Sequence, residues 1–323
     1  MTAELITVFG ASGFVGRYVV RALAKAGFRV RAAVRRPGPA NFLRPMGVVG
    51  QIQIVQANVR VRPTIERALD EAWGVIDLVG VLHQSGAQRF MSLHAQAPGA
   101  IAELAARHGV KAMVHVSALG ARTDSPSLYL RTKALGEEAV RAVFPDAAIV
   151  RPALVFGPED EFFNRFAAIA RLSPVLPLFG GGKTKFQPVF AGDVGAAISA
   201  AISNPKFAGK TFELGGPRSY TFRELMEEML RVTERKRLLL PLPWEAAQLA
   251  AAIGSLVPGF LMKPLISFDQ IKQLQEDNVI APGSGAGTLA DLGVTAPRSL
   301  EAELPAYLWR FRKSGQFEVS GYA

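Results

Sequence analysis

Short apolar runs alternate with longer segments of helical spacing along the first half of the chain. We predict strands at six apolar runs, with helices or loops between them. The predicted strands are Leu5–Phe9, Arg29–Val34, Ile52–Ala57, Val75–Leu82, Ala112–Ser117 and Ala147–Arg151. Because strands that alternate with helices form parallel sheets covered on both faces, the pattern predicts a doubly wound α/β fold. Ligands of such a fold bind beyond the carboxyl ends of the strands.

Two helices carry their own start or stop signals. Pro98–His108 is predicted to form a crossover helix, because proline is tolerated in a first turn and Gly109 follows the last turn. Thr221 and Glu224 have the spacing of a capping box, which predicts a helix over Phe222–Thr233.

The alternation becomes looser after Pro152, which predicts a second, smaller domain. A stretch rich in Pro and Gly, Ser173–Gly182, leads to an apolar segment around Phe186–Phe190. A helix over Val194–Ser203 and a last core strand near Phe212–Leu214 return the chain to the first domain. We predict a sheet domain of residues 1–157 and 187–216, and a smaller C-terminal, partner-docking domain of residues 158–186 and 217–323.

Composition limits the classes of function. The chain of 323 residues is 49% hydrophobic, which predicts a globular protein, and it contains no cysteine for disulfides, thiolate catalysis or metal binding. Its four histidines lack metal-ligand spacing, so we predict no metal site. A net charge of +10 favours an anionic partner. Since the basic residues are scattered and no helix-turn-helix, zinc-finger or RNP motif is present, nucleic acid is not the predicted partner.

A glycine-rich turn follows the first predicted strand. Gly10, Gly13 and Gly16 lie between Leu5–Phe9 and a helical stretch, Arg17–Ala26. Gly10 permits a tight turn, Gly13 lets the backbone approach a pyrophosphate, and Gly16 lets the helix pack closely on the sheet. The phosphates would then meet the positive end of that helix. The G-x-x-G-x-x-G spacing differs from the usual G-x-G-x-x-G, yet its position between strand and helix predicts a dinucleotide site.

The ends of the second and third strands indicate which dinucleotide binds. Arg35 and Arg36 follow the second strand, where an NAD site normally has an acid for the ribose hydroxyl. Guanidinium groups bind phosphate bidentately, so we predict NADP(H), with two solvated surface arginines as the alternative. Asn58, at the end of the third strand, is placed to accept a hydrogen bond from the adenine amino group.

A second group of residues could move a proton. Ser117 ends the fifth strand, and Tyr129 and Lys133 are four residues apart on a predicted helix, so they share a face. The ammonium group could lower the proton affinity of the phenol, and Ser117 could polarise a carbonyl. These residues would support proton transfer during hydride exchange at a carbinol or carbonyl carbon.

These motifs, with Arg151-Pro152 and Phe156-Gly157-Pro158 after them, resemble the extended and atypical short-chain dehydrogenase/reductase superfamily over roughly the first two-thirds of the chain. Further runs are similar to one branch, the NADPH-binding accessory subunits of respiratory complex I, and extend through the C-terminal region. Those runs are Tyr129–Glu137, Phe156–Phe162, Gln187–Phe190 with Asp193-Val194, and Leu240–Pro243.

The resemblance implies a set of cofactor-lining residues and two departures. Asn58 stands where the superfamily often has Asp, and Gln96 falls where catalytic relatives often carry Asn, which weakens the case for a proton relay. Carried over by position, the residues that would line NADPH are Gly10, Ser12, Gly13, Phe14, Val15, Gly16, Arg35, Arg36, Asn58, Gly80, Ser117, Tyr129, Lys133 and Pro152.

The resemblance also implies a structural role. Accessory subunits of this branch lie near the quinone-binding region of complex I and stabilise the assembly, so we expect a peripheral protein on the cytoplasmic face of a bacterial inner membrane or on the mitochondrial matrix side. The alternative is a soluble NADP(H)-dependent reductase or epimerase that uses Ser117, Tyr129 and Lys133. A third hypothesis is a redox-state sensor that releases its partner when the bound dinucleotide changes.

Three segments bear on membrane contact and phosphate binding. The chain enters a strand within its first residues, so we predict no signal or transit peptide. The cation-rich Arg231–Arg237 runs into an apolar stretch through Met262, which fits either a lipid or subunit interface or an ordinary core helix. Gly180–Thr184 resembles the end of a P-loop, but we predict an ordinary loop because no strand-to-helix turn frames it.

Overall fold

The computed structural model describes residues 3–246, 248, 268–313 and 315. The chain divides into two compact units, each built from three stretches of sequence. The first unit comprises Met1–Pro152, Ala191–Leu214 and Ile280–Pro297, and the second comprises Ala153–Phe190, Gly215–Val279 and Arg298–Ala323.

The first unit holds a parallel sheet, and seven strands of the described residues form it. Their order across the sheet is β11-β6-β5-β4-β1-β2-β3. The chain adds strands outward from β1 to β3 on one side, and then returns to add β4 and the later strands on the other side of β1. The strands are β1 (Leu5–Phe9), β2 (Arg29–Val34), β3 (Ile52–Gln56), β4 (Gly74–Asp77), β5 (Ala112–Val116), β6 (Ala148–Pro152) and β11 (Thr211–Leu214).

Helices connect these strands, and the apolar strands between them form the buried centre of the unit. Every residue of β1 is buried, and α1 buries Val19, Val20 and Leu23 on one face. The helices are α1 (Phe14–Lys25), α2 (Arg62–Leu69), α3 (Ala97–Arg107), α4 (Leu128–Val143) and α6 (Ala191–Ser203), with a 3-10 segment at Gly38–Met46 and a π-helix at Met91–Gln96. The predicted doubly wound α/β fold is confirmed.

Each of the six predicted strands is present, and β4 differs most from its predicted bounds. The apolar run continues to Leu82, but the strand ends at Asp77. The reason is local: the backbone N–H of Val79 donates to Oδ1 of Asp77 at 3.0 Å instead of continuing the ladder. The segment after β4 is therefore a loop, and its residues are available to shape a site at the carboxyl end of the sheet.

The predicted domain bounds and the two units differ by a few residues at 153–157, 187–190 and 215–216, and by one longer segment. Residues 280–297 were predicted to lie in the second domain, but they belong to the first unit. Gly287 explains this placement, because its N–H donates to the Thr211 carbonyl at 2.9 Å and its carbonyl accepts from the Glu213 N–H at 2.8 Å. The segment thus pairs with the edge strand β11, a contact between residues far apart in sequence.

The second unit contains short paired strands and helices. The predicted capping box is confirmed: Thr221 accepts from the Glu224 N–H, and the Glu224 carboxylate accepts from the Thr221 N–H. Its elements are β7 (Val155–Phe156), β8 (Val175–Phe179), β9 (Lys185–Phe186), β10 (Val189–Phe190), β12 (Tyr220–Thr221), β13 (Leu238–Leu242), α5 (Phe162–Leu172), α7 (Phe222–Val232), α8 (Phe268–Leu274), α9 (Leu300–Glu303) and α10 (Pro305–Leu308).

Two further segments of the second unit were predicted from sequence. Gly180–Gly182 forms a 3-10 turn between β8 and β9, not a strand-to-helix turn, as expected of an ordinary loop. In the apolar segment that follows Arg237, residues 238–242 form β13, which pairs in parallel with β8. Its continuation over residues 249–262 lies outside the described residues. Among the described helices, none combines the length and the apolar character that a bilayer span requires.

Candidate nucleotide-binding site

The glycine-rich turn lies at the carboxyl end of β1. Gly10 has φ +81°, and a side chain there would meet the backbone of Leu78 at 3.1 Å, so only glycine fits without strain. The N–H of Gly13 donates to the Gly10 carbonyl at 3.0 Å and closes the turn. Gly16 is equally restricted, because an added Cβ would lie 2.3 Å from the Gly10 carbonyl oxygen. The helix α1 therefore rests directly on the turn.

The first turn of α1 has the features of an anion-binding position. Gly13 is its N-cap residue, and no side-chain hydrogen bond caps the helix. Free N–H groups and the helix dipole favour negative charge at this end. Ser12, Phe14 and Val15, which only the family resemblance assigned to cofactor contact, lie half-buried at this turn. The arrangement is the one that holds a pyrophosphate at the switch point of a doubly wound sheet.

Cations surround a groove beside β2 and β3. Arg35 and Arg36 are exposed directly after β2, and Arg35 donates to Oε1 of Gln88 at 3.0 Å. Asn58 is half-buried, and its Oδ1 accepts the Arg60 N–H at 3.2 Å. A groove of about 630 Å³ is lined by Arg35, Asn58 and a further cation, Arg67 on α2. Arg67 was not predicted from sequence, because nothing in the local sequence ties α2 to the end of β2.

The residues predicted to transfer a proton lie directly after β5 and in the first two turns of α4. Ser117 is buried, and its Oγ has no hydrogen-bond partner among the described residues. Lys133 is also buried, and its Nζ donates to the Val116 carbonyl at 2.9 Å. Burial lowers the pKa of Lys133, whereas the carboxylates of Asp77 and Glu137 act to raise it. Ser117 and the ammonium group of Lys133 therefore both lie at the carboxyl end of β5.

Tyr129 lies one helical turn before Lys133 on α4. The helix begins at a cap in which the Ser127 hydroxyl accepts from the Leu130 N–H at 3.3 Å. The half-buried Tyr129 ring makes edge-to-face contacts with Phe90 and His94, with centroids 5.8 and 5.2 Å apart. Its shared helical face with Lys133 agrees with the sequence prediction, and its role in proton transfer stays a prediction.

Gly80 and Pro152 lie at the carboxyl ends of two different strands, β4 and β6. A Cβ on Gly80 would lie 3.4 Å from Nζ of Lys133, so the glycine follows β4 directly beside the buried ammonium group. Pro152 ends β6 half-buried, and its carbonyl accepts from the Leu119 N–H at 2.9 Å. Gly80 therefore lies beside Lys133, and its contact with the cofactor stays a prediction.

Two buried histidines near these residues were not predicted from sequence as part of the site. His94 and His115 are fully buried, and Nδ1 of His115 lies 2.9 Å from Oδ2 of Asp77. Gln96, to which the resemblance assigned an active-site position, is exposed on the π-helix, and the residue of that helix beside Gly80 and Tyr129 is His94. A π-helix advances side chains by more than 3.6 residues per turn, so the expected spacing does not apply. Among the described residues, no cluster of metal-binding side chains occurs.

The family of the chain follows from comparison with known proteins. Residues 6–215 match the model of the NAD dependent epimerase/dehydratase family, so the chain belongs to this family of nicotinamide-dinucleotide-binding proteins. Within it, the chain belongs more narrowly with subunit 9 of the complex I alpha subcomplex. It is 37% identical over 317 residues to the mitochondrial NADH dehydrogenase (ubiquinone) 1 alpha subcomplex subunit 9 of Arabidopsis thaliana, covering 96% of this chain and 78% of that protein.

Other relatives include both complex I subunits and an enzyme. The corresponding subunit of Rattus norvegicus is 36% identical over 316 residues, with 97% of this chain and 81% of that protein covered. A ceramide reductase of Caulobacter vibrioides is 33% identical over 242 residues, which is 74% of each chain.

Solved structures share the fold. The NADPH-dependent quinone oxidoreductase QOR2 of Escherichia coli, complexed with NADPH, superposes with a TM-score of 0.73 at 21% identity, over 93% of this chain and 99% of that chain. At this identity the likeness bears on the fold alone.

Proposed function

We propose that the chain binds NADP(H) and serves as a non-catalytic accessory subunit of respiratory NADH:quinone oxidoreductase, complex I. The observation that carries this proposal is the extent of the similarity to subunit 9, which is 36–37% identical over 96–97% of the chain and so includes the second unit. The match to the epimerase model ends at residue 215. Shared sequence beyond that point supports a shared role that the dinucleotide fold alone does not require.

Nucleotide binding is supported by the fit of the residues to its chemical groups. The uncapped first turn of α1 would hold the pyrophosphate, and Arg35, Arg36 and Arg67 would hold the additional phosphate of NADP(H). The unpartnered Oγ of Ser117 and the buried Nζ of Lys133 are polar groups suited to the nicotinamide ribose or carboxamide. When bound, this cofactor supplies hydride chemistry. In the accessory role, the bound cofactor stabilises the fold by mass action.

We place the partner-facing surface at β13, in the second unit. Leu238 and Leu240 are 63% and 50% exposed on this strand. Several cations before β13 have partners within the unit: Arg235 donates to the Phe311 carbonyl at 2.8 Å and Arg237 donates to the Ala170 carbonyl at 2.7 Å. The exposed leucines, more than the cations, therefore favour an apolar protein surface near the quinone region. Peripheral attachment to the cytoplasmic or matrix side of the membrane follows from this role.

The association is tested by purifying the tagged chain from its source membranes in mild detergent. We expect complex I subunits to co-purify with it. The double substitution Leu238→Ser and Leu240→Ser should reduce their recovery at least about tenfold, since two half-exposed leucines lose their apolar contact. The matched control is Leu172→Ser, which alters a leucine that is 91% exposed on α5 of the same unit. Recovery of the wild-type chain as a free protein would contradict the proposal.

A second candidate function is an NADP(H)-dependent reductase or epimerase. Two observations favour it: Ser117, Tyr129 and Lys133 are retained in one neighbourhood, and a relative at 33% identity is a ceramide reductase. In this role the Tyr129 hydroxyl would donate the proton to the developing alkoxide oxygen, Lys133 would favour the phenolate, and Ser117 would orient the carbonyl. The substitution Tyr129→Phe separates the two roles. Loss of an NADPH-dependent activity with complex I still assembled would establish the reductase, and an unchanged activity would contradict it.

A further inference from the structure

His94 bonds through both of its ring nitrogens. The backbone N–H of Val81 donates to Nε2 at 3.1 Å, and Nδ1 lies 3.3 Å from Oγ1 of Thr132. Since a backbone amide can only donate, Nε2 carries no proton. The neutral ring therefore carries its proton on Nδ1 and donates it to Thr132.

The hydrogen bonds continue from Thr132 into α4. The Thr132 hydroxyl donates to the Tyr129 carbonyl at 3.0 Å, which leaves its lone pairs for the Nδ1–H of His94. A continuous series of hydrogen bonds thus runs from Val81 through His94 and Thr132 to Tyr129. It joins the loop after β4 to the helical turn that carries Tyr129 and Lys133.

Both ends of this series of hydrogen bonds lie beside the nicotinamide half of the proposed site. Val81 follows Gly80, and a Cβ on Gly80 would lie 3.4 Å from Nζ of Lys133 and 3.8 Å from Nε2 of His94. The His94 ring also stacks on Phe90, with centroids 5.1 Å apart, and meets Tyr129 edge to face. Two separable contributions come from one side chain, the ring packing and the paired hydrogen bonds.

We propose that His94 is a positioning residue of the nucleotide site, and that its Nδ1–H tautomer fixes the loop of Gly80 and Val81 against the Tyr129–Lys133 turn of α4. This inference rests on the proposed binding of NADP(H). Because His94 is fully buried, it acts through these two segments and not by direct contact with the nucleotide. It holds the two segments at one separation, so the site is formed before the nucleotide arrives and less binding free energy is spent on ordering it.

Two substitutions at His94 separate its hydrogen bonds from its ring. His94→Phe keeps an aromatic ring between Phe90 and Tyr129 but leaves the Val81 N–H without its acceptor and the Thr132 hydroxyl oxygen without the donor at Nδ1. His94→Gln loses the ring but supplies one acceptor and one donor in a side-chain amide. We expect His94→Phe to weaken NADPH affinity about tenfold and His94→Gln to restore it to within about threefold of wild type. His108→Phe, at an exposed histidine, is the matched control and should leave affinity unchanged.

Calorimetric titration of the full chain with NADPH gives these affinities. A His94→Phe protein that is folded by circular dichroism and binds NADPH as tightly as wild type would overturn the inference. So would a His94→Gln protein that binds as weakly as His94→Phe, because ring packing would then account for the whole effect. Wild-type protein that binds no NADPH would instead refute the proposed function, and with it the role of His94 at that site.

A spectroscopic measurement on the wild-type chain does not depend on any variant folding. With ¹⁵N-labelled histidine, we expect the His94 ring to show a protonated Nδ1 and an unprotonated Nε2 that stay unchanged between pH 5 and pH 8. Assignment comes from the resonance that disappears in His94→Gln. A protonated Nε2, or a ring that titrates near its ordinary pKa, would contradict the proposed hydrogen bonds.

Discussion

Arg35 and Arg36 stand at the position that separates NADPH from NADH in a doubly wound fold. A guanidinium group forms charge-assisted hydrogen bonds with a phosphate dianion but gains little from an uncharged diol. Arg67 lines the same groove as Arg35, so the phosphate would meet cations from both β2 and α2. The preference for NADPH should therefore depend on these side chains more than on the rest of the site.

The double substitution Arg35→Ala and Arg36→Ala should reduce the ratio of NADPH to NADH affinity at least about tenfold, because each lost charged hydrogen bond is worth about 1.5–3 kcal/mol. Titration with each dinucleotide measures the ratio. Lys111→Ala is the control, since Lys111 is an exposed cation at the amino end of β5, away from the carboxyl ends where ligands bind. An unchanged preference in the arginine variant would remove the argument for a phosphate clamp.

Single residues also show how far sequence reasoning extends. The spacing of Tyr129 and Lys133 is local, so a helical period alone places both on one face of α4. The contacts of His94 with Val81 and Thr132, in contrast, join residues 13 and 38 positions apart. No local pattern encodes such a contact, and a π-helix shifts the spacing that a comparison by position assumes. The shared face of Tyr129 and Lys133 was therefore predictable from sequence, and the contacts of His94 were not.

Glycines set the closest approaches between elements. An added Cβ on Gly136 would lie 2.0 Å from the His94 carbonyl oxygen, so α4 packs with its backbone against the π-helix. Gly195 has the same role between α6 and α1, where a Cβ would lie 2.8 Å from the backbone of Tyr18. Sequence patterns predicted α1, α4 and α6, but they did not predict the π-helix or which glycines hold these elements together, because that depends on tertiary contacts.

Gly136→Ala should force the π-helix away from α4. We expect a loss of about 1–3 kcal/mol in the free energy of unfolding, despite the better helix propensity of alanine, together with weaker NADPH binding. Gly99→Ala on α3 is the control. Its Cβ would approach the Ala139 side chain at 3.2 Å, a softer contact than a backbone carbonyl. Urea denaturation compares the two, and an equal or smaller loss for Gly136→Ala would contradict this packing.

Stability of the molecule as a whole should depend on pH through His94. Burial, together with the nearby Lys133 and His115, lowers the pKa of His94 to about 2. An unfolded chain binds a proton on this histidine below its ordinary pKa near 6.5, whereas the folded chain does not. The contribution of neutral His94 is therefore fully present above pH 6.5 and is lost as the pH falls.

Between pH 7 and pH 5 this linkage should cost wild-type protein about 2 kcal/mol of unfolding free energy that His94→Gln does not lose. Urea denaturation of both proteins at both pH values measures the difference, and titrations shared by the two proteins cancel. Parallel losses in the two proteins would show that His94 is not held neutral in the folded state.

At the scale of the whole chain, the alternation of strands and helices was enough to predict a parallel, doubly wound sheet, although it did not give the order of the strands. It was not enough to place residues 280–297. That segment has no strand periodicity of its own, and its pairing with β11 through Gly287 is a tertiary contact within the first unit. Such a contact closes over a long stretch of intervening chain and leaves no local signal.

The pairing of Gly287 with β11 has a consequence for biosynthesis. A ribosome delivers β1 to β6 early, yet the outer edge of the sheet stays uncovered until residue 287 has emerged, after much of the second unit has been made. An open strand edge attracts other chains. The nascent protein thus passes through an interval in which β11 is exposed, and a premature stop between residues 215 and 286 would leave a sheet prone to aggregate.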